Sequence, residues 1–237
     1  MKTKPILGLM VAVCVAGMVT SALATEVTTT GFGTIPGVSP GSNPYSGSGI
    51  PFDTSEYTIV SGIPGSSDTL TIAMAATQHG SGNPAPGNNG AGTYYVSTGL
   101  NAGRSVWNFD FYINSALGSL SPYTFVITEL NVGNGGIFMF DPTLIPDNVG
   151  GPSSAGNSES LDFASFGSWI GYDPNANDTY QFVLDAYLGG DFVGQSAITV
   201  VAGTGSVPDT GSTAGLMGIA VLGLVGFAKR KMITGLA

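Results

Sequence analysis

Apolar side chains occupy every second position along several short segments of this chain. This two-residue period constrains the fold more than any other feature of the sequence. The clearest case runs from Trp107 through Phe109 and Phe111 to Ile113, and a second runs from 180 to 186. Successive side chains of a strand point to opposite faces of its sheet, so the pattern predicts half-buried β-strands.

The same pattern predicts nine strands, at 55–61, 68–76, 92–98, 107–113, 120–130, 135–140, 161–170, 180–186 and 191–202. Gly, Pro, Ser and Asn fill the segments between them, and no long amphipathic helix interrupts the series. We therefore expect an all-β fold, a single antiparallel β-sandwich with either a jelly-roll or an immunoglobulin-like topology. Stretches rich in Gly, Pro or Ser predict an N-terminal arm over 31–51 and loops over 79–92 and 146–158.

Charge is distributed very unevenly. Five of the six basic residues lie in the two end segments, and residues 25–211 hold one arginine, Arg104, against fifteen carboxylates, a formal charge of −14. Such a body repels phosphate backbones, which excludes nucleic-acid binding. Its carboxylates must be solvated or bound to ions, so either a soluble acidic surface or divalent-cation binding is expected.

The first 24 residues have the organisation of a signal peptide. A short basic region with Lys2 and Lys4 precedes an apolar stretch, and Ala22 and Ala24 form a small-x-small cleavage box. This order predicts a signal helix and cleavage by signal peptidase after Ala24. The only cysteine, Cys14, lies in this segment, so the mature chain has no thiol for disulfides, zinc binding or catalysis.

The tail, residues 204–237, has three parts after the acidic domain 25–203. A short motif comes first and consists of Val207, Pro208, Asp209, Thr210 and Gly211. An apolar, uncharged run over 213–228 follows, and it predicts a single transmembrane helix of roughly 24 Å. A basic cluster of Lys229, Arg230 and Lys231 then fixes the orientation of that helix, with the cluster on the cytoplasmic side.

This tail resembles the PEP-CTERM sorting signals, and more narrowly the VPDSG-type variant that exosortases handle in Gram-negative bacteria. The resemblance implies recognition around Pro208 by a membrane-embedded transpeptidase-like enzyme, then release or transfer of the body. It also implies a host that makes exopolysaccharide. The Pro-Glu-Pro core is absent, and residues 232–237 extend beyond the basic cluster.

A Gram-positive sortase signal is the alternative for the same tail. It shares the three-part plan, and its Leu-Pro-x-Thr-Gly motif agrees with residues 207–211 at four of five positions. The body also shares segments with PEP-CTERM proteins, most clearly the Asp-Pro-Asn turn at 173–175. That resemblance covers about residues 100–231 and implies a sorting class without implying an activity.

Asp173, Asn175 and Asn177 have the one-three-five spacing that opens an EF-hand loop. Asp178 replaces the glycine needed at the sixth position and Leu184 the glutamate needed at the twelfth, so an EF-hand is excluded. The expected structure is an Asx turn, with a looser calcium site as the alternative. No other metal or cofactor is predicted.

Other candidate residues carry less information. Asp110, Asp162 and Asp185 could include a glycosidase pair, which only a measured separation would establish. His79, the single histidine, lies in a Gly/Pro loop with no neighbouring acid or nucleophile in sequence. Trp107 and Trp169 could stack on sugars, but their strand positions favour the core.

Three functions are consistent with these observations. The first is a non-catalytic surface or exopolysaccharide-matrix protein sorted through its tail. The second is a secreted carbohydrate- or calcium-binding module that follows the same route, and the third is a secreted hydrolase. We expect the first, with signal peptidase and an exosortase-like enzyme as processing partners and exopolysaccharide as a further partner.

Overall fold

The computed structural model describes residues 26–38, 53–79, 84–162 and 167–203. The predicted signal peptide, the sorting motif at 207–211, the apolar run at 213–228 and the basic cluster all lie outside these ranges. Within them, no helix is long and apolar enough to cross a membrane.

The fold is all-β, and fourteen strands lie in the described ranges. In chain order these are β1 (Val27–Gly33), β2 (Ser55–Ser61), β3 (Thr69–Gln78), β4 (Gly87–Asn88), β5 (Thr93–Val96), β6 (Leu100–Asn101), β7 (Arg104–Ser105), β8 (Trp107–Ser115), β9 (Tyr123–Asn131), β10 (Ile137–Phe140), β11 (Val149–Gly151), β12 (Ser154–Glu159), β13 (Asp178–Leu188) and β14 (Asp191–Ala202). One helical turn, α1 (Gly167–Ile170), precedes β13.

Two six-stranded sheets hold twelve of these strands in a sandwich-like arrangement. The first sheet has the order β1-β2-β3-β8-β12-β11 and the second the order β10-β9-β13-β14-β5-β4. All neighbours in both sheets are antiparallel except β5, which runs parallel to β14. The chain crosses between sheets repeatedly, so neither sheet is a simple meander.

Aromatic side chains from both sheets meet in the core, as the alternation predicts. Phe109 of β8 stacks on Phe182 of β13, with ring centroids 4.6 Å apart. Trp107 is 1% exposed and contacts Tyr180 and Phe182 of the opposite sheet. The expectation that Trp107 belongs to the core is confirmed.

The prediction of a strand over 161–170 is wrong. Leu161 and Asp162 lie in a turn, and Gly167–Ile170 form α1. The Asn134 side chain donates a hydrogen bond of 3.0 Å to the Ile170 carbonyl, and a Cβ on Gly136 would lie 2.6 Å from that same oxygen. The turn before β10 therefore lies in close contact with the backbone at the end of α1.

The predicted loop over 146–158 contains two strands, β11 and β12, and the predicted arm contains the end of β1. Apolar alternation does not reveal β12, because Ser, Gly, Asn and Glu make up most of it. It forms nevertheless because its backbone pairs with β8, from Ser154 opposite Asn114 to Glu159 opposite Phe109.

A crossover of two 3₁₀ helices, Pro142–Leu144 and Pro146–Asn148, joins β10 to β11. It connects an edge strand of the second sheet to an edge strand of the first, and so covers one rim of the sandwich. Asp141 begins it by accepting the Thr143 amide at 2.9 Å. At its end Asn148 is fully buried and donates to the Pro142 carbonyl at 3.2 Å.

Candidate functional site

Two glutamates face each other between the sheets beside the covered rim. Glu129 of β9 pairs laterally with Phe182, and Glu159 of β12 pairs laterally with Phe109. Laterally paired residues share a face of their sheet, and the two phenylalanines stack across the core. Both carboxylates therefore point inward, next to that stacked pair, from opposite sheets.

Both carboxylates are buried, but they differ in how many hydrogen bonds they accept. Glu129 is 0% exposed, and neither of its carboxylate oxygens has a hydrogen-bond partner. Glu159 is 5% exposed and accepts a hydrogen bond of 3.2 Å from the Asn157 side chain. Since a buried polar group without a partner is costly, Glu129 is the least satisfied side chain of this rim.

Both glutamates are strongly perturbed acids. Burial, with added repulsion from Glu159, raises the pKa of Glu129 to about 8. Burial and repulsion from Asp147 raise the pKa of Glu159 to about 7, although hydrogen bonds from Asn148 and Asn157 act in the opposite direction. The single arginine of the body, Arg104, instead acts on Asp162.

Amide side chains complete the surroundings of the pair. Asn157, on the inner face of β12, donates 2.7 Å to the Oδ1 atom of Asn148 as well as to Glu159. Asn148 comes from the crossover, so the network links β12 to the segment that covers the rim. The result is an oxygen-rich cluster of Glu129, Glu159, Asn148 and Asn157 at the edge of a largely apolar core.

Asp110 is a further buried carboxylate, on the outer face of the first sheet. It is 0% exposed and accepts a hydrogen bond of 3.2 Å from Thr77. Burial raises its pKa to about 8, against the effect of hydrogen bonds from Ser158 and Thr77. Asp185 lies on the outer face of the second sheet and accepts from Gln195 at 2.8 Å. Asp110 and Asp185 are thus on opposite sides of the sandwich and do not form a glycosidase pair.

The predicted calcium turn has the local geometry of an Asx turn. The Asp173 carboxylate accepts the Asn175 amide at 2.9 Å, and the Asp173 carbonyl accepts the Ala176 amide at 3.1 Å. Asn177 points instead toward Gly203, where an added Cβ would overlap its side-chain oxygen. Over the described ranges no group of three or more His, Cys, Asp or Glu side chains is placed to hold a metal, and the turn remains only a prediction.

His79 has an acidic neighbour, Asp162, that its sequence context does not indicate. Both His79 and Arg104 lower the pKa of Asp162, while burial raises it above its ordinary value overall. The Asp162 carboxylate accepts the Ser105 amide, and the Ser105 hydroxyl pairs with the Tyr172 hydroxyl. The Nδ1 atom of His79 has no hydrogen-bond partner, so these residues do not form a serine-histidine-aspartate relay.

Trp169 contradicts the expectation of a core position. It lies on α1, is 68% exposed and stacks on Phe138 with centroids 6.2 Å apart and planes at 14°. Phe138 in turn stacks on Phe140 at 5.6 Å. The error follows from the wrong strand prediction, because a helical turn presents Trp169 to solvent while Ile170 is buried.

Sequence reasoning missed the cluster around Glu129 and Glu159. Glu129 follows apolar positions of β9 at the correct two-residue spacing, and this parity is the one signal that places it inward. Nothing comparable exists for Glu159, because β12 itself is not predicted. The pairing of the two carboxylates depends on which strands face each other, which only the structure shows.

The tail, in contrast, is identified by comparison with known proteins. Residues 206–232 match the VPDSG-CTERM motif, with Thr210 at the position where the motif's name has serine. This match favours the exosortase route over the Gram-positive sortase route. No curated protein and no solved structure matches the chain. The chain therefore carries a PEP-CTERM-like exosortase sorting signal, which indicates an exported protein sorted at the membrane by an exosortase-like enzyme.

Proposed function

We propose that this chain is a non-catalytic protein of the bacterial surface or exopolysaccharide matrix. The observation that carries the proposal is the sorting motif at residues 206–232. The acidic body supports it, because one arginine against fifteen carboxylates keeps a domain solvated and separate from its neighbours in a hydrated matrix.

The two ends perform successive steps in this proposal. Signal peptidase cleaves after Ala24, and the apolar run at 213–228 then holds the exported chain in the inner membrane. The exosortase-like enzyme reads the motif around Pro208 and Asp209, and the body leaves for the surface. Lys229, Arg230 and Lys231 stay on the cytoplasmic side and keep the motif on the opposite side, within reach of the enzyme.

Motif substitution in the host tests this route. In the double variant Pro208→Ala, Asp209→Ala, full-length precursor should accumulate in the inner membrane. The matched control is Pro146→Ala, Asp147→Ala, which changes the same dipeptide within the body and should leave tail processing unchanged. If the motif variant fractionates like the wild type and neither form is shortened, the tail is only an anchor and the sorting role fails.

A second candidate function is carbohydrate binding, and the exposed stack of Trp169 on Phe138 favours it. Flat, solvent-facing aromatic rings bind the apolar faces of sugars, and Trp169 is held in place through α1 by the Asn134 contact. Phe192 is the matched control, because it is also an exposed aromatic side chain but lies far from Trp169. It is 57% exposed at the β13–β14 turn, at the opposite end of the second sheet.

Co-sedimentation with exopolysaccharide isolated from the host separates the two candidates. If the aromatic stack binds sugars, Trp169→Ala should reduce the bound fraction several-fold and Phe192→Ala should leave it unchanged. Equal binding by both variants and the wild type would remove the carbohydrate-binding role while leaving the sorting route intact.

A further inference from the structure

We propose that Glu129 and Glu159 form a calcium site between the two sheets, with the side-chain oxygen of Asn148 as a third ligand. The two carboxylates point toward each other from opposite sheets, on the same side of the Phe109–Phe182 stack. Asn148 reaches the same place from the crossover through its contact with Asn157.

The second observation is the state of Glu129. Its side chain is fully buried, points into the cluster, and leaves both carboxylate oxygens without a donor. Native proteins rarely leave such atoms unsatisfied, and a carboxylate in this state calls for a proton, a water or a cation. A second carboxylate next to it makes a cation the most effective partner, because one ion neutralises both charges.

The chain itself offers little to neutralise this pair. The body has one basic side chain other than His79, and that arginine lies beside Asp162. Asp147 of the crossover adds further negative charge next to Glu159. With few cations nearby, ionising both carboxylates is opposed unless a bound cation compensates their charge.

The ligand chemistry favours calcium among the cations. All the available donors are carboxylate or amide oxygens, which suit hard cations and not the metals that prefer nitrogen or sulfur. Calcium accepts six to eight oxygens in irregular arrangements, whereas magnesium requires near-ideal octahedral geometry and retains several waters. A buried site assembled from two sheet strands and a crossover is suited to the more tolerant ion.

Such an ion would join the two sheets at the rim that the crossover covers. Glu129 belongs to the second sheet, Glu159 to the first and Asn148 to the connection between them. Binding would therefore stabilise the folded state and raise the melting temperature in proportion to the logarithm of the calcium concentration. This effect would be separate from the sorting role of the tail.

Thermal unfolding and calorimetric titration of the full chain, purified in a mild non-ionic detergent and stripped with EDTA, test the proposal. At pH 8 and constant ionic strength, 1 mM Ca²⁺ should raise the melting temperature of the wild type by several degrees. Magnesium at the same concentration should have a much smaller effect. Glu129→Gln and Glu159→Gln should each weaken calcium binding at least tenfold.

Two control variants place the site. Asp173→Asn removes one carboxylate from the turn at 173–177, and Asp185→Asn removes one from the outer face; both should bind calcium like the wild type. Loss of binding in Asp173→Asn alone would move the site to that turn and overturn the proposal. Equal stabilisation by calcium, magnesium and added KCl, or no stabilisation of the wild type, would overturn it as well.

Discussion

Asp68 and Glu129 are both buried carboxylates, but one is fully hydrogen-bonded and the other is not bonded at all. Asp68, just before β3, accepts from the hydroxyl groups of Ser115 and Tyr123 at 2.6 and 2.9 Å, and from the amides of Thr69 and Leu117. Glu129 accepts no hydrogen bond. The comparison indicates that a full set of hydrogen-bond donors can offset the effect of burial on the pKa of a carboxylate in this fold.

The pKa values follow the donors. Burial acts to raise the pKa of Asp68, but its hydrogen bonds together outweigh burial and lower the pKa below its ordinary value. At Glu129 burial is unopposed, and the pKa rises to about 8. Asp68 therefore stays charged, and its hydrogen bonds link β8 of the first sheet to β9 of the second. Glu129 remains available for a proton or an ion.

The largest effect on stability that we expect comes from removing the Asp68 carboxylate. Asp68→Ala leaves the buried donors of Ser115, Tyr123 and two amides without an acceptor, and should lower the free energy of unfolding by about 3 kcal/mol. Urea unfolding followed by tryptophan fluorescence measures this change. Asp68→Asn, which keeps an acceptor oxygen, should cost less; if both variants unfold like the wild type, the hydrogen bonds do not stabilise the fold.

The opposite sign is expected at the other carboxylate. Glu129→Met fills the same space without a polar group, so in EDTA at pH 7 it should raise the free energy of unfolding by about 1–2 kcal/mol. The matched change Asp68→Leu should be strongly destabilising. A loss of stability in Glu129→Met would mean that Glu129 has a stabilising partner, and would break the comparison.

The pH dependence of stability should separate the two groups without any change of fold. The pKa of Asp68 is lowered on folding, so its contribution is present above the unfolded value of about 3.9 and is lost as the pH falls through the folded value. Glu129 and Glu159 have raised values, so their contribution is greatest below about 4.3 and is lost as the pH rises toward 8.

Melting temperatures between pH 3 and pH 9 in EDTA measure both effects. The wild type should lose stability at each end of this range, and Asp68→Asn should remove the acid-side dependence. Glu129→Gln should reduce the loss between pH 5 and pH 8, with the remainder due to Glu159 and to Asp110, whose pKa is also about 8. An unchanged slope in Glu129→Gln would show that this carboxyl titrates normally.

Some features of this chain can be predicted from its sequence and others cannot, for a physical reason. Trp107 and Phe109 follow the two-residue period because their strand packs aromatic residues against the opposite sheet, so their burial could be predicted. The tail could also be recognised, because a sorting motif, an apolar run and a basic cluster act in linear order. Both features are encoded in patterns of residues that are neighbours along the chain.

The rest depends on neighbours across the structure. β12 has polar residues at inward positions, Asn157 and Glu159, whose burial is accommodated because Asn157 donates hydrogen bonds to both Glu159 and Asn148. A hydrophobic pattern cannot reveal such a strand. The position of Trp169 cannot be predicted for a related reason: Asn134 and Gly136 contact Ile170 at the helical turn, and no local period encodes these contacts.

The smallest effect on stability that we expect is at Tyr123. It measures how much a single hydrogen-bond donor contributes to keeping Asp68 charged. Tyr123→Phe removes one of the two hydroxyl donors to the Oδ2 atom of Asp68 and leaves the ring in the core, so it should cost about 1 kcal/mol. The pKa of Asp68 should rise but remain below that of Glu129, because Ser115 and both amides still donate. Carboxyl-carbon NMR titration gives the pKa, and Ser115→Ala is the matched variant for the other hydroxyl. If either single variant brings the pKa of Asp68 near 8, one donor rather than the whole set keeps this carboxylate charged, and the contrast with Glu129 rests on a single hydrogen bond.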